Sequence, residues 1–405
     1  MNNDNRNDWQ ECKLGDIVKV VSGFAFKSED FSHEGTPVIK INNIASGALS
    51  LNEVQCYPYE ITDKLNQFIL KNGDVLIALT GSHVHQPSSM VGRVTRYNLP
   101  YSALLNQRAG KVVVKSSDTT DKDFIFYFLT QKRVTIDLAL NAGGSANQAN
   151  ISSEQLINLP VLLPPLPEQR AIAAVLYSLD DKIDLLNRQN KTLEGLAATL
   201  WRKMFIIDAA PNWKKGKLGD YGEFKNGINY SRHENGDANY SILNVRDIVE
   251  SKYVNKSSFE IVSINQEKAT SYLLKKRDIV IVRSASPGES LIVLEDVQNL
   301  IYSGFSIRLR CHDQSNSLFL FQFLQSYKKE MDIFSDGTTL KNINQEILNS
   351  IELVVPDKEI VEKYNSRVTN VFSKILINQE QIRTLSTLRD SLLPRLMSGE
   401  VRVKV

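Results

Sequence analysis

The chain has 405 residues, 42% hydrophobic and 23% charged, with a formal net charge of +2. That length exceeds one ordinary core, and the composition is that of a globular protein, so two or more domains are expected. The near-neutral balance excludes a global basic field, leaving any nucleic-acid contact to a local basic surface. Cys12, Cys56 and Cys311 form no close pair and suit reduced, buried thiols better than disulfides or zinc ligands. Residues 1–8 are polar, and no apolar run approaches a membrane span, so the expected location is the cytoplasm.

In chain order, a polar Asn/Asp-rich start gives way to Trp9 and then Leu14-Gly15-Asp16. The phrase returns as Trp213 and Leu218-Gly219-Asp220, 204 positions on. At the same shift Gly23 meets Gly227, Asn43-Ile44 meets Asp247-Ile248, and Asp74-Val75-Leu76-Ile77 meets Asp278-Ile279-Val280-Ile281. Later the shift falls to 192, where Asn150-Ile151-Ser152 meets Asn342-Ile343-Asn344. The chain is therefore an internal duplication, each copy a lobe followed by a long helix. The divisions are 1–163 and 208–355 for the lobes, 164–207 for the first long helix, and 356–405 for the second with a C-terminal extension.

Within the lobes, residues 36–41, 74–79, 111–114 and 278–282 read as strands, and 122–130 and 318–326 as short helices. Residues 80–92, 141–150, 283–289 and 335–342 read as polar loops. The fold class is α+β, two pseudo-symmetric lobes separated by two long antiparallel helices. The first long helix spans 167–204, with apolar residues at Ile172, Leu176, Leu179, Ile183, Leu186, Leu193, Ala197, Leu200 and Met204 and Asn190 in the one polar slot. Steps of four and three make a heptad seam. The second repeats it from Tyr364 to Leu396, with Asn378 fifth and Arg389 eighth of ten positions. At 1.5 Å per residue each helix is a rod of roughly 55 Å. Pro167 suits the first helical position, and Pro394 should end or kink the second helix. A symmetric antiparallel pairing sets Asn190 opposite Asn378, where two amides bond to each other and fix register; a parallel one buries each against hydrocarbon.

The plan resembles the specificity subunit of type I restriction-modification systems over essentially the whole chain. The most specific phrases are Leu163-Pro164-Pro165-Leu166-Pro167-Glu168-Gln169-Arg170-Ala171-Ile172 and Leu392-Leu393-Pro394-Arg395-Leu396-Met397-Ser398-Gly399-Glu400. The second helix opens differently, with Val355-Pro356-Asp357-Lys358-Glu359. The resemblance implies that each lobe is a target-recognition domain reading one half of a bipartite sequence in double-stranded DNA. It implies that the helices set the spacing and dock two modification subunits. Those subunits are S-adenosylmethionine-dependent adenine methyltransferases, joined by separate restriction (motor-nuclease) subunits; no cofactor is assigned to this chain and no membrane is involved.

The residues agree that chemistry lies elsewhere. There is no phosphate-cradling Gly-Lys-Ser/Thr loop, no dinucleotide glycine turn and no Asn-Pro-Pro-aromatic phrase. His83 and His85 lack companion ligands, so no metal is assigned. DNA-facing candidates come from loops rich in amides, hydroxyls and cations, which read groove edges or grip phosphates. In the first copy these are Lys27, Ser82, His83, His85, Gln86, Arg93, Asn106, Gln107, Arg108, Ser145, Asn147 and Gln148. In the second they are Tyr230, Arg232, Arg283, Ser284, Ser286, Tyr302, Ser303, Thr338, Thr339, Lys341 and Asn342, with Arg283 suited to a bidentate pair with guanine. Loops that differ between copies imply two different half-sites and an asymmetric target. The reading from another class is a tandem-domain scaffold whose lobes bind proteins.

Overall fold

The structure, a computed structural model, describes residues 8–45, 47–51, 54–86, 90–145, 148–231, 236–254, 259–334 and 342–404. Packing divides the chain into Met1–Asp181 with Leu385–Val405, and Lys182–Thr384. Each unit therefore takes a lobe and a stretch of both long helices.

In the first unit, Val94–Tyr97, Asp74–Ala78, Ala109–Val114 and Val18–Ser22 form an antiparallel sheet in that spatial order. A second sheet runs Gln55–Tyr57, Thr36–Ile39, Ala103–Leu105, Ile69–Leu70, with Leu104 parallel to Val38. The lobe is closed by Gln10–Lys13 paired antiparallel with Pro160–Leu163. The second unit repeats all three. Ser290–Ile292, Ile279–Val282, Ser306–Cys311 and Gly222–Asn226 form the antiparallel sheet. Glu260–Ile264, Ala238–Leu243 and Leu300–Tyr302 form the other, with Ile242 parallel to Ile301. Lys214–Lys217 closes on Glu352–Val355.

The repeated phrases turn out to be local locks. Asp16 accepts the Lys13 amide at 2.9 Å, and Asp220 accepts that of Lys217 at 2.8 Å. Asn43 and Asp247 do the same for Lys40 and Asn244, and Asp74 and Asp278 for Lys71 and Lys275. A short carboxylate or amide reaching back three residues satisfies an N–H at a turn, which is why only Asp or Asn stands there. Gly23 and Gly227 are matched for another reason. A Cβ on either would lie 2.2 Å from the Asn106 carbonyl oxygen or 2.1 Å from that of Ser303, so only glycine lets the backbones meet.

Helix Lys122–Thr130 matches its expected span, with all of Phe124 to Leu129 buried, as an element apolar on every side must be. The second-copy helix is longer than expected, Ser317–Phe334. Residues 141–150 are not a free loop. Gly143–Ser145 and Gln148–Asn150 pair as a hairpin whose second strand joins Thr80–Gly81. Of the cysteines, Cys311 is buried and the other two are half-buried.

The long helices are Leu166–Arg202, followed by a π-helical turn Lys203–Ile207, and Lys358–Met397. Helix starts one residue before Pro167, and the second runs past Pro394 to Met397, sacrificing one backbone bond instead of stopping. The seam residues from Ile172 to Met204 and from Tyr364 to Leu396 are all buried or half-buried. In the second unit Asn378 Nδ2 donates to Asn190 Oδ1 at 2.8 Å, the contact that antiparallel pairing requires. Asn378 Oδ1 has no partner among the described residues, so this amide layer is incompletely satisfied.

The Pro-Glu-Gln phrase is spent inside the first unit. Glu168, 3% exposed, accepts the Trp9 indole N–H at 3.0 Å and is gripped by the Arg402 guanidinium of the C-terminal extension. Gln169, fully buried, donates to the carbonyls of Thr119 and Pro164 and accepts the Asp121 amide. In the second unit Trp213 donates instead to Asp357 at 3.2 Å, which is why the opening of that helix can do without Glu-Gln.

Candidate nucleic-acid interface

In each unit four loop segments distant in sequence are stitched together by the same backbone hydrogen bonds. In the first, the Phe24 amide donates to Leu105 O at 2.8 Å, and the Gln107 amide returns to Phe24 O at 2.9 Å. Leu79 N–H then reaches Arg108 O at 3.0 Å, and Ile151 N–H reaches Leu79 O at 2.8 Å. In the second, Ile228 bonds to Tyr302 O and Gly304 bonds back to Ile228 O, at 2.9 and 2.8 Å. Arg283 N–H reaches Phe305 O at 2.9 Å, and Ile343 N–H reaches Arg283 O at 2.8 Å. Parallel bridges Phe24–Asn106 and Ile228–Ser303 complete the match, as do the pairings Thr80–Asn150 and Ser284–Asn342. The candidates of each copy are thus largely neighbours.

Side chains at this surface divide by depth. Lys27, His85, Gln86, Gln107, Arg108 and Asn342 are exposed, and His83, Asn106, Gln148, Tyr230, Arg283, Ser284 and Ser286 are half-buried. Ser82 closes its own turn, donating to Gln86 O at 2.8 Å. Arg283 Nη1 donates to Gly304 O at 3.3 Å, which holds the guanidinium beside the turn it flanks. Lys27 lies 3.4 Å from Glu29, both largely in solvent, a pair worth little.

Four expectations are corrected by burial. Ser82 is 8% exposed, and Arg93, 9% exposed, points inward with Nη2 toward Ile41 O; burial lowers its proton affinity. It follows Gly92, whose φ of +81° turns the chain into the strand starting at Val94, so Arg93 enters the sheet instead of the loop. Tyr302 is fully enclosed and donates to Lys225 O at 3.2 Å, and burial pushes its hydroxyl up to about 12. Ser303 is 1% exposed. Ser145 lies in the hairpin strand. Asn147, Arg232, Thr338, Thr339 and Lys341 lie outside the described residues.

Sequence reading missed Phe305, 65% exposed at the tip between Leu300–Tyr302 and Ser306–Cys311. The available signal was a shift of 197 that sets Asn106-Gln107-Arg108 against Ser303-Gly304-Phe305. It was hidden because neither strong phrase nearby uses that shift.

Among the described residues no three His, Cys, Asp or Glu side chains gather as a metal site, and no helix is long and apolar enough to cross a membrane. Fold and surface together define a duplicated α+β protein with two unlike polar faces and two long heptad helices. The chain belongs to the type I restriction modification DNA specificity domain family, whose model matches residues 6–195 and 211–387. It is similar to the type I restriction enzyme MjaIX specificity subunit of Methanocaldococcus jannaschii, 26% identical over 98% of this chain and 94% of that one. The EcoKI specificity subunit of Escherichia coli K12 is 22% identical over 97% of this chain and 89% of its own. A crystal structure of the type I restriction-modification S subunit from M. genitalium shares the fold, with TM-score 0.59 and 17% identity over 98% and 97% of the two chains.

Proposed function

We propose that each lobe reads one half of an asymmetric bipartite sequence in duplex DNA, and that the long helices dock two methyltransferase subunits on which S-adenosylmethionine and the chemistry reside. Restriction subunits complete the assembly for cleavage. The observation that carries this reading is the matched surface: one backbone framework in both units, with different polar side chains mounted on it. Equal frameworks supply equal approach to a groove, and unequal side chains supply unequal sequence choice. A scaffold for protein partners has no need of that division.

The test is exchange of residues 1–160 for the same lobe of a relative, followed by methylation mapping in cells. One half of the methylated sequence should change while the other stays. Simultaneous change of both halves would refute independent lobes. Binding of the purified chain to duplex DNA should also be sequence-dependent and fall steeply with salt, which a protein-binding scaffold would not show.

A further inference from the structure

One turn that the hydrogen bonds match between the two surfaces carries unlike side chains. Arg108 and Phe305 occupy one backbone position: each carbonyl accepts from the residue preceding the Thr80 or Ser284 pairing, at 3.0 and 2.9 Å. Both side chains stand in solvent. Their neighbours are exchanged as well, for the residue donating to Arg108 O is Leu79, and the one donating to Phe305 O is Arg283. Each turn thus carries one arginine and one apolar side chain, with the exposed tip cationic in one copy and aromatic in the other.

An aromatic ring held at 65% exposure at a turn tip gives up the burial that a core phenylalanine enjoys, while Ser303 and Ser306 on either side of the turn are buried. Glycine at 304 cannot shield it, and the adjacent Arg283 guanidinium supplies positive charge against a phosphate or a base edge. In a DNA groove the two tips ask for different things. A guanidinium pairs with the acceptors of guanine, whereas the group on a base edge that suits a phenyl ring is the thymine C5-methyl.

On the reading that these surfaces meet duplex DNA, we propose that the turn-tip residue sets base preference in each lobe, and that Phe305 selects a thymine through its C5-methyl group. The experiment uses the full chain in its methyltransferase assembly, with duplexes carrying the mapped target and each thymine replaced in turn by uracil, which lacks only that methyl. One replacement should weaken binding by roughly fourfold, the value of one apolar carbon. Phe305→Ala should weaken binding to the thymine duplex by a similar factor and be insensitive to uracil at that position. Phe305→Leu, still apolar, should remain sensitive. Phe305→Arg, carrying the first copy's residue, should shift preference there from thymine towards guanine. Equal affinity of the unaltered assembly for thymine and uracil at every position would overturn the proposal while leaving bipartite reading intact. So would a Phe305→Ala loss that is the same on both duplexes, the mark of a ring wedged between base steps. Absence of any sequence-dependent binding would instead sink the underlying reading, and this proposal with it.

Discussion

The two units solve the same backbone problem with the same bonds and then part company in their side chains. Where the first unit places Asp180 and Arg389 on its long helices, the residues 192 positions away in the second are Phe372 and Ala197. In the first unit Asp180 accepts Arg389 Nη1 at 2.9 Å and the Tyr127 hydroxyl at 2.7 Å. Arg96 stands over the Phe126 ring, 3.8 Å from its centroid, and bonds Asp123. In the second unit Phe372 is buried against Tyr253, and Ala197 is fully enclosed. One helix seam is therefore keyed by an ion pair beside the lobe and the other by apolar packing plus the Asn190–Asn378 amides. The lesson is that duplicated sequence conserves turns and strand closures, whose geometry tolerates one solution, while helix packing admits several.

The largest effect should come from what the copies share. Gly23→Ala and Gly227→Ala should each cost about 3 kcal/mol or more, because backbone cannot yield to the new Cβ. Hydrogen-exchange mass spectrometry, which reads each unit by itself, should show protection lost around residue 106 in one variant and 303 in the other. A harmless substitution at only one of the two would break the equivalence. Next in size is the ion pair: Asp180→Phe should cost about 2 kcal/mol by leaving the Tyr127 hydroxyl without an acceptor and Arg389 with Asp390 alone, partial exposure keeping it below a fully buried case. Adding Arg389→Ala, to copy the second unit, should recover most of that loss. A double variant as unstable as the single one in urea titration would mean the pair is not the element that differs.

The amide layer sharpens the comparison from the other unit. Asn378→Leu should cost about 1–2 kcal/mol, since Asn190 then faces hydrocarbon, while Leu at both positions should keep or raise stability. With register loosened, the double variant should tolerate a wider range of spacings between half-sites in methylation mapping. Unchanged spacing preference would remove the amides from any role in register. The smallest effect should be at the repeated tryptophan. Trp9→Phe removes one of the two donors to a carboxylate oxygen of buried Glu168, which keeps Arg402, and should cost about 1 kcal/mol, whereas Trp213→Phe frees a bond in solvent and should cost a few tenths. Equal thermal shifts for the two would show that burial does not separate them.

Sequence alone determined the duplication, the α+β class, the two heptad helices and the facing of Asn190 by Asn378. Those features rest on spacing along one chain: a four-three step marks a seam wherever the helix goes, and a short carboxylate three residues on closes a turn by itself. The pairing of Gly143–Ser145 with Gln148–Asn150, the burial of Arg93 and the internal use of Glu168 and Gln169 were decided by the tertiary structure. So was the turn tip. Tyr302 and Ser303 look as able to face DNA as Phe305 does, but a strand covered on both faces buries consecutive residues alike, and only the turn beyond it returns to water. Here Ile242 and Leu243 pair with Ile301 and Tyr302 in a strand buried throughout, and Phe305 lies beyond it in the turn with its ring in water.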